Sequence, residues 1–255
     1  MKKLVLWMVM APVTGLCLSF MYSPSAVNHP SSKTGKLIIS FRNSVDALPL
    51  ELNKTYINSL QEPFKVTRLK YYISHIELDN TSAVITPDAN YFLVNEEAPV
   101  SKTITVPFPA GSYHRITFLL GVDSLRNVSG AQSGALDPLN GMFWTWNSGY
   151  IMAKLEGRSP ASSLPLQQFE FHIGGFQGRD NVLKKISLAF PGGKPFVLKA
   201  GKTLTIDINA NIQKWFQGPR SISIATHPSC TTPGSLAKQI ADNYAEMFSI
   251  VSVTD

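Results

Sequence analysis

The side chains best suited to chemistry in this sequence are its histidines, of which there are five in 255 residues. In "FEFHIGGF" (169–176), strand alternation places Glu170 and His172 together on the polar face. A neutral imidazole is a common metal ligand, and the two glycines that follow let a ligand approach the backbone. His172 is therefore the first candidate metal ligand.

Two further histidines lie in strand-like runs. Alternation places His114 on the same face as Ile116, and it places His75 on the same face as Tyr71. Each pattern predicts a histidine that faces apolar neighbours, which fits a buried structural residue. The second interpretation is that His114 and His75 are additional metal ligands.

Other possible ligand sets are small. The segment "HPSC" spaces His227 and Cys230 as a soft ion such as Cu(I) would accept, but a structural zinc site needs a second pair of ligands. Asp123, Asn127 and Asp137 carry oxygen atoms of the kind that calcium binds. These residue types also form turns, which is the simpler interpretation.

Residues 135–157, "ALDPLNGMFWTWNSGYIMAKLEG", hold two of the four tryptophans of the chain. If "FWTWN" is extended, Trp144 and Trp146 point to the same side, where they fill a core or line a sugar-binding platform. Met142 and Met152 fit core packing better than thioether ligation. The segment therefore predicts part of the core or one wall of a ligand site.

Catalytic signatures are missing from the sequence, which contains no Gly-x-Ser-x-Gly elbow, phosphate loop or His-Glu-x-x-His motif. Its carboxylates stand near turns, and nothing indicates a glycosidase pair. The formal net charge is +6, but the lysines and arginines are scattered rather than clustered as nucleic-acid binding requires. We therefore predict a protein that is not an enzyme and does not bind nucleic acid.

The N-terminus predicts export. A basic Lys2-Lys3 pair precedes an apolar run at 4–20, and small residues follow it, as in a secretory signal peptide. An uncleaved anchor is the alternative, but the run is short for a spanning helix of about 20 residues. We predict a signal peptide at 1–26, a flexible leader at 27–35, no membrane span after cleavage, and a location in the periplasm or at the cell surface.

Short β-branched and aromatic runs, separated by Gly, Pro, Asn and Asp, dominate the rest of the chain. They predict an all-β fold, an antiparallel β-sandwich or a barrel-like variant, in one domain at 36–255. One amphipathic segment, 234–248, predicts a short C-terminal helix. The predicted strands are 36–41, 64–78, 91–94, 102–108, 113–122, 149–155, 168–173, 184–190, 195–200 and 202–212.

Several of these segments together resemble the MbnP-like family of exported copper-binding proteins. They are "RLKYYISHIEL" (68–78), "GVDSLRNVSG" (121–130), the tryptophan segment 135–157 and "FHIGG" (171–175). The most specific part is Met-Phe-Trp-x-Trp-x-x-Gly-Tyr. The resemblance covers residues 36–250.

The resemblance implies an exported β-sandwich that binds copper through histidines and an oxidised tryptophan, kynurenine, which a di-haem partner protein produces. His172 matches the family's His-aliphatic-Gly motif, and we take His114 and His75 as further candidate ligands. Trp144 and Trp146 match its Trp-x-Trp, as oxidation sites or as neighbours of the site.

The sequence also departs from the family pattern. Relatives often carry Asn-His where this chain has Asn127-Val128, and Tyr91 stands where another modifiable tryptophan is expected. A cysteine that tends to follow the His-aliphatic-Gly motif is missing. These departures support the interpretation that the copper site is altered or lost. The alternative function is an envelope interaction module that binds a glycan or protein through an aromatic surface of Trp146, Tyr150 and Tyr91.

Overall fold

The structure is a computed structural model, and it describes most of the chain. The predicted signal peptide, most of the predicted leader and Trp146 lie outside the described residues. The described residues are 34–79, 81–82, 91–144 and 149–255.

Strands form about half of the described chain, where the alternating and β-branched runs predict them. Their bounds are β1 (Thr34–Val45), β2 (Leu48–Pro49), β3 (Thr55–Ile57), β4 (Pro63–Leu78), β5 (Thr81–Ser82), β6 (Tyr91–Asn95), β7 (Thr103–Pro109), β8 (Gly111–Tyr113), β9 (Arg115–Leu120), β10 (Phe143–Trp144), β11 (Gly149–Arg158), β12 (Gln168–Gly174), β13 (Lys184–Ala189), β14 (Phe196–Leu198), β15 (Thr203–Asn211), β16 (Ser229–Cys230) and β17 (Phe248–Thr254).

Helical structure is limited in the described chain. A single turn, α1 (Ser124–Asn127), precedes the C-terminal helix α2 (Ser235–Tyr244), which the amphipathic pattern predicted. Ile240 and Tyr244 on its apolar face are buried, as that pattern requires. Short 3-10 turns lie at Pro99–Lys102, Gly134–Leu136, Pro138–Asn140, Pro165–Gln167, Gly178–Asp180, Pro191–Gly193, Ile212–Trp215 and Ala245–Met247.

Two sheets make up the sandwich, so the predicted all-β class is confirmed. The smaller sheet has the order β17-β15-β1-β2, with β7 also paired to β1. The larger sheet has the order β13-β9-β4-β11-β12-β16, and β3, β5 and β6 pair with β4 while β10 pairs with β11. Most pairs are antiparallel as predicted, but β1 with β15 and β12 with β16 are parallel.

The two sheets meet through aromatic rings. Phe41 on β1 packs edge-on against Tyr71 on β4 and Phe118 on β9, each with ring centroids 6.0 Å apart. Phe248 on β17 lies 5.2 Å from Phe118 in the same geometry. Edge-to-face contacts of this kind add to the free energy that burial of the rings provides. The core therefore lies between β1 and β17 on one side and β4 and β9 on the other.

Two local features differ from the sequence prediction. The predicted strand 113–122 is broken at His114, where β8 leaves to pair with β14 and β9 begins to pair with β13. His114 stands at the bend and is exposed, so its predicted position beside apolar neighbours is wrong. The second feature is β17, which the sequence analysis assigned in part to the C-terminal helix and otherwise missed.

Within the described part of the chain, no helix is both long enough and apolar enough to cross a membrane.

Candidate functional site

The outer face of the larger sheet is covered by the segment 121–141, and this cover positions the candidate site. Tyr72 on β4 donates its hydroxyl to the carbonyl of Ala135 at 3.1 Å, and Tyr150 on β11 donates to the carbonyl of Leu136 at 2.7 Å. A buried tyrosine provides an apolar ring and one polar atom that needs a partner. The two hydroxyls thus hold the cover on the sheet.

Asn127, which the sequence analysis treated as a turn former, anchors the start of this cover. Its side-chain nitrogen donates to the carbonyl of Val122 at 2.6 Å, and its side-chain oxygen accepts from the backbone N–H of Tyr150 at 2.8 Å. Asn127 is buried, so these bonds satisfy polar groups that would otherwise be costly. Val128, which stands where relatives often carry histidine, is exposed.

His75 lies on the outer face because β4 bulges there. Its φ is +49°, and the register between β4 and β9 shifts between Ser74 and Glu77. A bulge adds one residue to a strand and redirects the side chain. The predicted face shared with Tyr71 is therefore wrong, and the His75 side chain is 43% exposed.

Asp123 connects His75 to its surroundings. His75 Nε2 lies 2.9 Å from Asp123 Oδ2, and the hydroxyl of Tyr91 donates to the same oxygen. Asp123 also caps α1, where its other oxygen accepts from the backbone N–H of Arg126 at 3.2 Å. Burial alone would raise the pKa of Asp123, but the hydrogen bonds from Tyr91 and His75 lower it overall.

Tyr91 completes this group, which we name the His75 cluster: His75, Tyr91, Asp123 and Arg126. The Arg126 guanidinium lies 5.6 Å from the centre of the Tyr91 ring, a cation–π contact. Burial, followed by the bond to Asp123, raises the pKa of the Tyr91 hydroxyl, so Tyr91 stays protonated as a donor. The cluster lies where the resemblance placed a modifiable tryptophan.

His172 lies in different surroundings, on the outer face of β12. Its Nε2 is 2.8 Å from Glu156 Oε1 on β11. Arg68 on β4 donates to the other Glu156 oxygen at 2.7 Å, and Lys154 Nζ is 3.7 Å from Oε1. The register of β4, β11 and β12 brings these residues together. His172 is therefore part of an ion-pair network that spans three strands.

This network perturbs Glu156 strongly. The hydrogen bond from His172 is the main reason that the pKa of Glu156 falls to about 2, and the charges of Lys154 and Arg68 lower it further against the effect of burial. The same cations disfavour a metal ion at His172, because like charges repel. The predicted metal role of His172 stays a prediction, and the described neighbours hold its ring in a hydrogen bond to Glu156.

We expect Glu156 to make the protein sensitive to acid. In the unfolded chain the Glu156 carboxylate binds a proton near pH 4.5, whereas in the folded chain it stays ionised until the pH falls to its pKa of about 2. The stabilisation is thus present above about pH 4.5 and is lost as the pH falls towards 2. Urea unfolding across this range should show that the native chain loses about 2–3 kcal/mol more than Glu156→Gln.

The control for this prediction is Glu77→Gln, which changes an exposed carboxylate 3.3 Å from Lys185. It should leave the pH profile of the free energy of unfolding close to that of the native chain, because exposed pairs contribute little. Parallel profiles for the native chain and Glu156→Gln would show that the network does not stabilise the fold.

The three candidate histidines do not converge on one site. His75 is bonded to Asp123 and His172 to Glu156, and His114 is exposed at its bend. Among the described residues, no three side chains of His, Cys, Asp or Glu lie close enough together to hold a metal ion.

The remaining small ligand sets have structural roles where the chain is described. Asp137 caps the 3-10 turn Pro138–Asn140 by accepting from the N–H of Leu139 at 2.8 Å, as a turn former would. His227 is exposed, whereas Cys230 is buried where β16 pairs with β12. Burial raises the pKa of the Cys230 thiol to about 11, so the thiolate that would bind a metal is disfavoured.

Trp144 is 6% exposed, in keeping with the core interpretation. Its ring packs on Gly174 so closely that a Cβ there would lie 2.4 Å from it. It also lines a cavity of about 240 Å³ together with Phe176 and Asp180. Met142 and Met152 are fully buried, which confirms them as core residues.

The aromatic surface proposed as an alternative is not formed by the described residues. Tyr91 is 8% exposed and Tyr150 is 1% exposed, so both rings are unavailable to a partner. That part of the sequence prediction is wrong because segment 121–141 covers the sheet face on which the rings lie.

Comparison with known proteins identifies one family. A sequence model of the MbnP family matches residues 34–232 of the chain. Among solved structures, MbnP from Methylosinus trichosporium is similar, with a TM-score of 0.51 and 18% identity over 78% of this chain and 83% of that one. At this level of identity the likeness concerns the fold. No curated protein sequence matches the chain.

Proposed function

Because this chain belongs to the MbnP family, we propose that it is an exported, non-catalytic protein that binds copper. The observation that carries the copper proposal is the setting of His75, whose Nε2 lies 2.9 Å from Asp123 Oδ2. A histidine that binds a metal almost always places its other ring nitrogen on a carboxylate or a carbonyl, which orients the ring. Asp123 has this role for His75, and Nδ1 is the nitrogen that would bind the metal.

The residue types in the His75 cluster suit copper, but the cluster contains few side chains that can bind a metal. Imidazole is a suitable ligand for copper, and the ionised Asp123 adds negative charge beside the ring. Against this, the described residues include no group of three metal-binding side chains, and Arg126 brings a positive charge to the cluster. We therefore propose an open site with a single described imidazole, of lower affinity than a closed set of ligands would give.

His75 is a better ligand candidate than His172 on electrostatic grounds. The carboxylate that holds His172 is shared with Arg68 and Lys154, whose charges oppose a cation. His114 stands at an exposed bend. The structural order of preference therefore differs from the order that the motifs suggested, in which His172 came first.

Export and a partner protein complete the proposal. The basic pair and apolar run at the N-terminus support export to the periplasm or cell surface. By analogy with the family, the partner is a di-haem protein that oxidises a tryptophan. Trp144 is a candidate for this modification because it lines a cavity rather than lying wholly inside the core.

The test is a copper titration of the purified mature protein. Calorimetry measures the binding of Cu(II), and competition with a chromogenic chelator measures the binding of Cu(I). We expect about one equivalent to bind, and we expect His75→Ala to weaken binding about tenfold or more, because it removes the imidazole. His114→Ala is the matched control and should bind like the native protein. Mass analysis of the peptide that contains Trp144, from protein isolated from its native host, would reveal whether that residue is oxidised.

Two results would contradict the proposal. Failure of the native protein to bind copper in either oxidation state would remove the copper function. Loss of binding in His172→Ala, with His75→Ala unaffected, would leave copper binding in place but show that the ligand assignment is wrong.

A further inference from the structure

A polar groove of about 610 Å³ is formed by residues outside the His75 cluster and the His172 network. Its most frequent lining group is the side-chain amide. We name it the amide groove after Asn58, Gln61, Asn211, Gln213 and Gln217. The turn between β3 and β4 provides Asn58 and Gln61. The end of β15, the 3-10 turn after it and the loop that follows that turn provide the others.

Gln213 is held firmly in the amide groove. Its side-chain nitrogen donates to the carbonyl of Ile57 at 2.8 Å and to Asp46 Oδ2 at 3.1 Å. Its side-chain oxygen is buried and has no hydrogen-bond partner among the described residues. A buried acceptor without a partner costs about 1–3 kcal/mol, but this atom is closed off from the groove, so the amides that a ligand can reach are those of the exposed Gln61 and Gln217.

The charges in the amide groove are nearly balanced. Asp46 and Glu246 line it together with Lys214, whose Nζ lies 3.7 Å from Glu246 Oε2. A groove with this balance does not select a strongly charged ligand such as a nucleic acid or a polyanion. Ile57, which is 55% exposed, adds one apolar patch to the polar lining.

We infer that the amide groove binds a neutral, hydroxyl-rich ligand of the oligosaccharide class. Asn58 and Gln213 use their amide groups mainly for bonds within the protein, whereas the exposed amides of Gln61 and Gln217 can both donate to and accept from a sugar hydroxyl. The apolar patch suits the C–H face of a sugar ring. The volume also lies within the range of about 300–1,000 Å³ that is usual for small-molecule sites.

The test uses the purified mature protein and three neutral probes: maltohexaose, cellohexaose and chitohexaose. Calorimetry or ligand-observed NMR should detect at least one of them with a Kd of about 1 mM or tighter. Gln217→Ala, which truncates an exposed groove residue, and Gln213→Ala should each weaken binding about tenfold. Gln239→Ala, an exposed position on α2, is the matched control and should not change it.

Thermal unfolding of each variant shows whether it remains folded. If Gln213→Ala does not fold, Gln217→Ala still tests the groove. Lack of binding by all three hexasaccharides would overturn the inference. It would also be overturned by equal binding to the native protein and both groove variants. Binding of neutral Asn- and Gln-rich peptides in place of the sugars would assign the groove to a different ligand class.

Discussion

Gly157→Ala is expected to lower the free energy of unfolding by about 3 kcal/mol or more, the effect of forcing extra atoms into a packed sheet. Gly157 lies on β11 between β4 and β12, where the register with β4 shifts. A Cβ at this position would lie 2.1 Å from the carbonyl oxygen of Lys65 and 2.5 Å from the ring of Phe169. Since the first neighbour is backbone, a side-chain rotation cannot relieve the contact.

Urea unfolding of the purified variant would measure this effect. Gly130→Ala is the matched control, because Gly130 has a φ of +76° but open space where its Cβ would be. It should cost only the conformational penalty of about 1–2 kcal/mol. Equal free energies of unfolding for Gly157→Ala and Gly130→Ala would contradict this prediction. They would show that β4 and β11 can move apart to make room for the added methyl group.

Glu62→Ala is expected to have an effect of similar size, about 3 kcal/mol. The Glu62 carboxylate is buried and accepts from Asn58 Nδ2 at 2.7 Å and from the backbone N–H of Ile224 at 2.9 Å. The Ser223 hydroxyl donates to it at 2.7 Å, and the N–H of Ala225 donates at 3.0 Å. Truncation to alanine would leave all four donors without this acceptor, and the two from Asn58 and Ile224 are buried.

The pKa of Glu62 agrees with this role. Burial alone would raise it, but the hydrogen bonds from Asn58, Ile224, Ala225 and Ser223 lower it below the ordinary value. Chemical unfolding of Glu62→Ala near neutral pH would measure the effect, with Glu97→Ala as the control. Glu97 forms a half-exposed pair with Arg68 and should cost less than about 1 kcal/mol. Equal effects of the two changes would contradict the proposed role of Glu62.

Glu62 also connects stability to the amide groove, because its partner Asn58 lines that groove. A variant that frees Asn58 would therefore be expected to bind a groove ligand less well even where it remains folded.

The sequence predicts the strands well because most of them alternate regularly between buried and polar residues. The run 202–212 is an example, and β15 occupies nearly the same residues. The amphipathic spacing of Ile240 and Tyr244 likewise located α2. Local periodicity is sufficient when one element keeps one buried face throughout.

The errors arise where partners distant in sequence decide the local geometry. A bulge at His75 and a bend at His114 each turn one histidine side chain to the opposite face of its strand. The alternation of polar and apolar residues in the sequence shows neither irregularity. Segment 121–141 buries Tyr91 and Tyr150 from outside the sheet. β17 was hidden because the preceding helical pattern extends to Phe248, although the alternation in "FSIVSV" is a signal that could have revealed it.

The parallel pairing of β1 with β15 has a consequence for folding kinetics. It joins residues 36–44 to 203–211, so two segments 203 − 36 = 167 positions apart must meet before the smaller sheet can close. Contacts between such distant segments require the closure of long loops, and proteins rich in them fold slowly. Most of the chain must therefore be available before β1 finds its partner. The export proposed above would benefit from this delay, because the chain would still be unfolded as it crosses the membrane.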